Sequence, residues 1–197
     1  MSLIREPQCP VCGVPYFGNV RVPGPCPTCL DSPPEFEQAR SLFLYRGSGA
    51  RLIQTLKYEH GTWAQMEIAH LLREESRWEA FFRDAVLVPV PLHRVRERSR
   101  GYNQAAVIAA GIGQAWPGVK VDPCLIRTRR TPSQTFLSRE ERKRNMAQAF
   151  ACTREPLPGR LVLVDDVLTT GATLGSAAWS LRQAQGRPVF AFTLAHG

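Results

Sequence analysis

Two adjacent carboxylates, Asp165 and Asp166, follow the apolar run Leu161-Val162-Leu163-Val164 and precede the hydroxyl-rich turn Thr169-Thr170-Gly171-Ala172-Thr173. Four consecutive apolar residues make a strand too hydrophobic for one exposed face, and an amphipathic helix follows the turn. The segment therefore reads as part of a parallel αβ layer, with the acidic pair at the carboxyl end of the strand, where open α/β sheets bind ligands. Thr169, Thr170 and Thr173 offer hydroxyl donors. Gly171 and Ala172 let backbone amides approach an anion closely, and the helix starting near Thr173 aims its positive end at that anion. A helix terminus contributes only about 0.3–1 kcal/mol, so the donors would carry most of the affinity for a phosphate. The carboxylates are no phosphate ligands themselves; they suit the two hydroxyls of a ribose and favour a nearby hydrated Mg²⁺. The expected ligand is a ribose bearing a phosphate. The competing reading is an ordinary strand-to-helix turn capped by one aspartate, which leaves the second carboxylate and the Thr-Thr-Gly-Ala-Thr run unexplained.

A second constellation lies near the amino terminus. Cys9-Pro10-Val11-Cys12-Gly13 and Cys26-Pro27-Thr28-Cys29 are two Cys-x2-Cys pairs separated by thirteen residues, the spacing of two knuckles sharing one tetrahedral Zn²⁺. Gly13 permits the backbone turn that lets amides face thiolates, and the prolines stiffen it. So short a segment, with few aliphatics, cannot build its own core. Metal binding, about 10–16 kcal/mol in finger peptides, would supply its folding energy. Disulfides and redox pairs are the alternatives; a reducing compartment and the lack of a βαβ pattern beside the pairs speak against them. Cys124 and Cys152 stand alone in expected strands and read as small core residues. His60, His70, His93 and His196 have no metal-ligand spacing.

The elements that must position these groups follow from composition and period. With 197 residues and 44% apolar content, the chain suits one α/β domain plus a small module. The break is expected at Asp31-Ser32-Pro33-Pro34, giving a module and linker over residues 1–34 and a main domain over 35–197. Residues 52–58 form a short helix-like run ending in Lys57-Tyr58, a flap near the site. Residues 62–82 carry Trp63, Met66, Ala69, Leu72, Trp78, Phe81 and Phe82 at helical spacing, expected in the core. Strands are expected over 86–91, 119–126 and 188–194, and a helix over 104–115. An arginine-rich loop with Arg94, Arg98 and Arg100 follows the strand at 86–91.

The formal charge of +8 sits in two segments, residues 94–100 (net +3) and 127–144 (net +5), leaving the rest neutral. Polyanion contact by two segments is the implication; a solvated charged face is the alternative. Residues 127–145 are polar and aperiodic up to Ser138, which suits a lid that excludes water and brings Arg129, Arg130 and Arg139 to a departing diphosphate. A nucleic-acid clamp is the other role for it. Tyr102, just after the first basic segment, and Phe136, in the second, are the only aromatics there, so nucleic-acid affinity would come mostly from phosphate neutralisation. Arg5 and Glu6 precede any apolar run, and residues 85–92 contain two prolines. Neither a signal peptide nor a membrane span is predicted, and a cytoplasmic location is expected.

Residues 161–173 resemble, at all thirteen positions, the phosphoribosyl pyrophosphate (PRPP) motif of type I phosphoribosyltransferases. Thr169 stands where purine-salvage members carry an aspartate that handles a proton on the base. A threonine is no general base near neutral pH, so purine transfer loses support. Together with the cysteine pairs, Leu56-Lys57-Tyr58, Val88-Pro89-Val90-Pro91-Leu92, Arg98 and Arg100-Gly101-Tyr102-Asn103-Gln104, the chain resembles the ComF competence family over nearly its full length. Tyr102 stands where phenylalanine is usual. The resemblance implies an α/β, type I phosphoribosyltransferase-like parallel-sheet domain with helices on both faces, preceded by a small four-cysteine zinc ribbon. It implies PRPP with Mg²⁺ at Asp165 and Asp166, the 5-phosphate on Thr169, Thr170, Gly171, Ala172 and Thr173, and the pyrophosphate or another polyanion on Arg94, Arg98 and Arg100. Structural zinc would sit on Cys9, Cys12, Cys26 and Cys29. A cytoplasmic role in natural transformation follows, with single-stranded DNA and the DNA-uptake machinery as partners. Two functions are in view: a DNA-handling protein that binds PRPP, and an active Mg²⁺-dependent phosphoribosyltransferase with a nitrogenous acceptor.

Overall fold

The computed structural model describes residues 1–18, 24–58, 63–128, 149–154 and 157–197. In chain order the elements are α1 (Pro27–Asp31), β1 (Gln38–Leu44), α2 (Gly47–Tyr58), α3 (Ala64–Arg73), α4 (Ser76–Phe82), β2 (Ala85–Pro89) and α5 (Arg94–Arg100). They continue with α6 (Gln104–Ala115), β3 (Lys120–Val121), β4 (Leu125–Arg127), β5 (Phe150–Cys152), β6 (Arg160–Leu168), α7 (Ala172–Gln185) and β7 (Val189–His196). Five of these strands form one sheet in the order β1-β7-β6-β2-β3, and every neighbouring pair is parallel. β4 and β5 pair separately and antiparallel.

β6 is apolar because both of its faces are covered. Side chains alternate across a strand, so Leu161 and Leu163 pack with Leu174, Ala177, Ala178 and Leu181 of α7. Val162 and Val164 join the opposite core with Ile53 and Leu56 of α2, Ile68 and Leu72 of α3 and Ile108 and Ile112 of α6. Trp78 and Phe82 of α4 close that core edge-on against Phe192 of β7, with ring centroids 5.2 and 5.1 Å away. Helices thus cover both faces, as expected. The chain leaves β2 towards β3 on one side of the sheet and leaves β6 towards β7 on the other. Neighbouring strands whose connections depart in opposite directions leave a crevice between their carboxyl ends.

Several expectations are corrected. The described residues from 63 to 82 form two helices rather than one, and the buried stripe of α3 runs through Ala64, Ile68, Ala69 and Leu72. Trp63 and Met66 fall off that stripe and are 45% and 74% exposed, so they are not core residues. The strand expected over 119–126 breaks at Pro123. Asp122 N–H still donates to Leu87 O at 2.9 Å, but Pro123 has no amide to donate, and β4 leaves the main sheet to pair with β5. Cys124 is fully buried just before β4 rather than within a strand. The arginine-rich loop is the helix α5, started by His93, whose Nδ1 accepts from Val95 N–H at 3.3 Å, and ended by Gly101. None of its residues is buried, so it has no apolar stripe to betray it.

The cysteine segment docks on the edge of the sheet. Ile4 N–H donates to Leu42 O, Leu44 N–H to Ser2 O and Ala39 N–H to Val11 O. Gly13 has φ +76° and presses on β1; a Cβ there would sit 2.8 Å from Ala39 O, so the knuckle needs glycine twice over. Among the described residues, no helix is long and apolar enough to cross a membrane.

Candidate functional site

The carboxyl ends of β2 and β6 open into a cleft of about 770 Å³. β6 delivers the acidic pair to it, and strand alternation sends the two side chains to opposite faces of the sheet. Asp166, 7% exposed, points to the α2 and α6 side. There Lys57 Nζ lies 2.8 Å from its Oδ2, and Gln104 Nε2 donates to the same oxygen at 3.5 Å. Gln104 is held in turn by Arg100, whose Nη1 donates to Gln104 Oε1 at 2.5 Å. Asp165 Oδ1 accepts the Asp166 backbone N–H at 2.9 Å. Burial, and then the charge of Asp166, push the Asp165 carboxyl up to about 8, with Lys57 pulling the other way. A carboxyl in that position exchanges its proton near neutral pH and gives it up when a cation or a set of hydroxyl donors arrives.

Four cations line the same cleft: Lys57, Arg96, Arg100 and Arg127. With two carboxylates the lining carries a net positive charge, which suits a ligand bearing several negative charges. Arg96 and Arg100 are one helical turn apart on α5 and share a face. Arg94 and Arg98 are exposed and lie outside the cleft lining. Arg127 ends β4, half-buried, with its guanidinium 5.3 Å from the Phe150 ring centroid. Burial and then Arg96 draw its pKa down, while Asp165 opposes them, so these three groups act on one another across the cleft. Arg129, Arg130 and Arg139 lie outside the described residues, as does nearly all of the segment expected to form a lid.

The hydroxyl-rich turn divides between two cavities. Thr173 lines the cleft with the acidic pair. Thr169, Thr170, Gly171 and Ala172 line a neighbouring cavity of about 630 Å³, whose other wall is Cys12, Cys26, Cys29, Pro33 and Pro34. Gly171 has φ +74° and stands at the N-cap of the fourteen-residue α7 without a side chain to cap it. The Ala172 amide reaches Thr170 Oγ1 at 3.4 Å. An uncapped helix start beside the cleft keeps amide donors for an anion. Arg96 escaped the sequence-based site, whereas Lys57 entered only as part of a nearby flap, Gln104 only within the family motif and Arg127 only within a basic segment, none with a contact to the acidic pair. For Arg96 the available signal is its i, i+4 relation to Arg100 once residues 94–100 are taken as helix; for the others only the fold supplies it.

The sulfurs of Cys9, Cys12, Cys26 and Cys29 all lie within 4.8 Å of one another, with Cys12 and Cys26 at 3.6 Å. A tetrahedron with Zn–S bonds near 2.3 Å needs sulfur separations of about 3.8 Å, so the four fit one zinc ion. The thiols are not equivalent. Burial raises Cys9, but the amides of Cys12, Cys26 and Val11 outweigh it and bring it down to about 6. Burial, first, and sulfur neighbours push Cys12 up to about 11 and Cys29 higher still. The Cys9 thiolate thus forms readily while Cys12 and Cys29 resist, the situation that a divalent cation relieves. Among the described residues, this is the one cluster of three or more Cys, His, Asp or Glu groups placed to share a metal.

No protein-family profile matches the chain. It is 30% identical over 186 residues to competence protein F of Haemophilus influenzae, covering 90% of this chain and 79% of that protein. It is 33% identical over 176 residues to the DNA utilization protein YhgH of Escherichia coli K12, covering 86% and 75%. Competence protein ComFC of Bacillus subtilis is 26% identical over 204 residues, covering 94% and 76%. Identity at this level across nearly the whole sequence is common descent: the chain belongs to the ComF family of competence and DNA utilization proteins.

Proposed function

We propose that this chain binds PRPP on a type I phosphoribosyltransferase-like scaffold and works in competence, on the cytoplasmic side of DNA uptake, in contact with single-stranded DNA and the uptake machinery. The observation that carries the reading is the acidic pair at the crevice between β2 and β6, ringed by Lys57, Arg96, Arg100 and Arg127 and flanked by the start of α7. Ribose hydroxyls donate to Asp165 and Asp166. The 5-phosphate takes the donors of residues 169–173, and the diphosphate takes the arginines. Asp165 and Asp166 would favour a hydrated Mg²⁺, which would screen the ligand's charge from the acidic pair. Zinc on the four cysteines folds the amino-terminal module and fixes one wall of the second cavity. The names of the relatives, competence and DNA utilization proteins, support the cellular role.

Calorimetric titration of PRPP with Mg²⁺ tests the site. The wild type should bind, and the Asp165→Asn/Asp166→Asn double variant should lose binding while keeping its fold by circular dichroism. Retained binding in that variant overturns the assignment. The helix α5 gives the DNA contact its test: affinity for a single strand should fall by about 0.7 log unit per tenfold salt for each phosphate contact. Salt-insensitive binding counts against it. The second reading, an active transferase, is favoured by the same cleft. It predicts release of pyrophosphate from PRPP when a nitrogenous acceptor is supplied, with an acceptor that needs no base at Thr169.

A further inference from the structure

Tyr58 closes α2 and lines the cleft, yet it is 74% exposed. Its position is nonetheless firmly held. Leu56 is fully buried and its carbonyl accepts from the Tyr102 hydroxyl, and Lys57 is paired with Asp166 at 2.8 Å. The backbone that presents the ring is therefore anchored at both preceding residues while the ring itself stands in water. Arg100 lies over it, with the guanidinium carbon 5.7 Å from the ring centroid. Val90, Pro91, Leu92 and the 62%-exposed Val95 give the same cleft an apolar strip.

A ribose diphosphate uses the carboxylates and cations of this cleft but has no use for an aromatic face or an apolar strip. A flat heterocycle uses both, stacking on a tyrosine ring and on a guanidinium plane. We infer that Tyr58, backed by Arg100, is the stacking platform for a nucleobase beside the anion site. This deepens the proposed function and rests on it for the neighbouring anion. The nucleobase arrives either as part of single-stranded DNA or as a free acceptor base; the chemistry of the platform is the same. It also adds to the small aromatic surface, Tyr102 and Phe136, that the basic segments carry in the linear sequence.

The test compares wild type, Tyr58→Phe and Tyr58→Ala by fluorescence anisotropy. The probes are a labelled oligothymidylate of about a dozen nucleotides, within the span of small single-strand sites, and an abasic chain with the same phosphates. Stacking one base predicts that Tyr58→Ala weakens oligothymidylate binding about 5- to 150-fold, that Tyr58→Phe restores it, and that the abasic chain is indifferent to the change. In a second arm, adenine and uracil are titrated into protein holding Mg²⁺ and PRPP; Tyr58-dependent binding there assigns the platform to a free acceptor. Equal losses for the normal and abasic chains overturn the inference. So does wild-type affinity of Tyr58→Ala for oligonucleotide and bases alike, or no binding of any base-bearing probe to the wild type. Mg²⁺-PRPP titration of the wild type, run alongside, separates the two claims. Its failure removes the PRPP site, while Tyr58-dependent binding of the oligonucleotide still stands or falls by itself.

Discussion

Replacing Asp165 with asparagine should stabilise the ligand-free protein, and only at neutral and alkaline pH. The Asp165 carboxyl stands at about 8 against an ordinary 3.8, raised by burial first and by Asp166 second. A raised carboxyl keeps its proton in the folded state while the unfolded chain has already lost it. Stability is therefore undiminished below the unfolded value and falls as pH climbs towards the folded one. The gap between the two values corresponds to at most about 6 kcal/mol, at about 1.36 kcal/mol for each tenfold change in proton affinity. Asp165 opens onto a wet cleft, so solvent screening reduces this to about 1–2 kcal/mol. Asparagine removes the charge but keeps the acceptor for the Asp166 amide. For a chain of this size each kcal/mol moves the melting temperature by about 2–4 °C, so the variant should melt about 2–8 °C above wild type at pH above about 8. The two should converge near pH ~4, where the unfolded chain regains its proton. Thermal unfolding followed by circular dichroism across that range checks it. An Asp165→Asn protein that melts below wild type at alkaline pH, or above it by the same margin at every pH, refutes the reasoning.

The same carboxyl should couple ligand binding to protons. Ribose hydroxyls and a cation favour its charged form, so Mg²⁺-PRPP affinity should rise with pH up to about 8, and binding heats should depend on the buffer's ionisation enthalpy; pH-independent affinity contradicts this. Metal analysis after extensive dialysis should find one zinc per chain, and Cys26→Ser should lose it; a clearly substoichiometric wild type removes the metal site. Arg96→Ala/Arg100→Ala should weaken polyanion binding and lower its salt slope by up to about one per lost contact. Arg94→Ala/Arg98→Ala should do less, and the reverse order would mean that the outer face of α5 is the working one. Gly13→Ala should cost the left-handed strain of about 1–2 kcal/mol plus a clash with Ala39 O. Gly18→Ala, with φ +92° and open space around it, should cost the strain alone, so denaturant melts of the pair isolate the docking contact.

Short-range patterns carry much of this protein in its sequence. The apolar run of β6, the acidic pair at its end and the cysteine spacing are legible because each depends on neighbours a few residues away. The two-faced packing of Leu161 to Val164 then follows from strand alternation alone. Residues 94–100 read as loop because an exposed helix whose one apolar residue is Val95 has no stripe for periodicity to find. The strand at 119–126 reads too long because the missing amide of Pro123 outweighs the apolar residues around it. β1 is not assigned as a strand by its sequence pattern. Only the tertiary structure brings Lys57 against Asp166, Tyr58 under Arg100 and Arg127 towards Asp165, because each pair joins elements brought together by parallel crossovers. It also decides that Arg96 rather than Arg98 faces the acidic pair, and that the hydroxyl-rich turn is shared with a cavity walled by the cysteine module. Sequence spacing specifies which groups are available for chemistry; the order of strands in the sheet determines which of them meet.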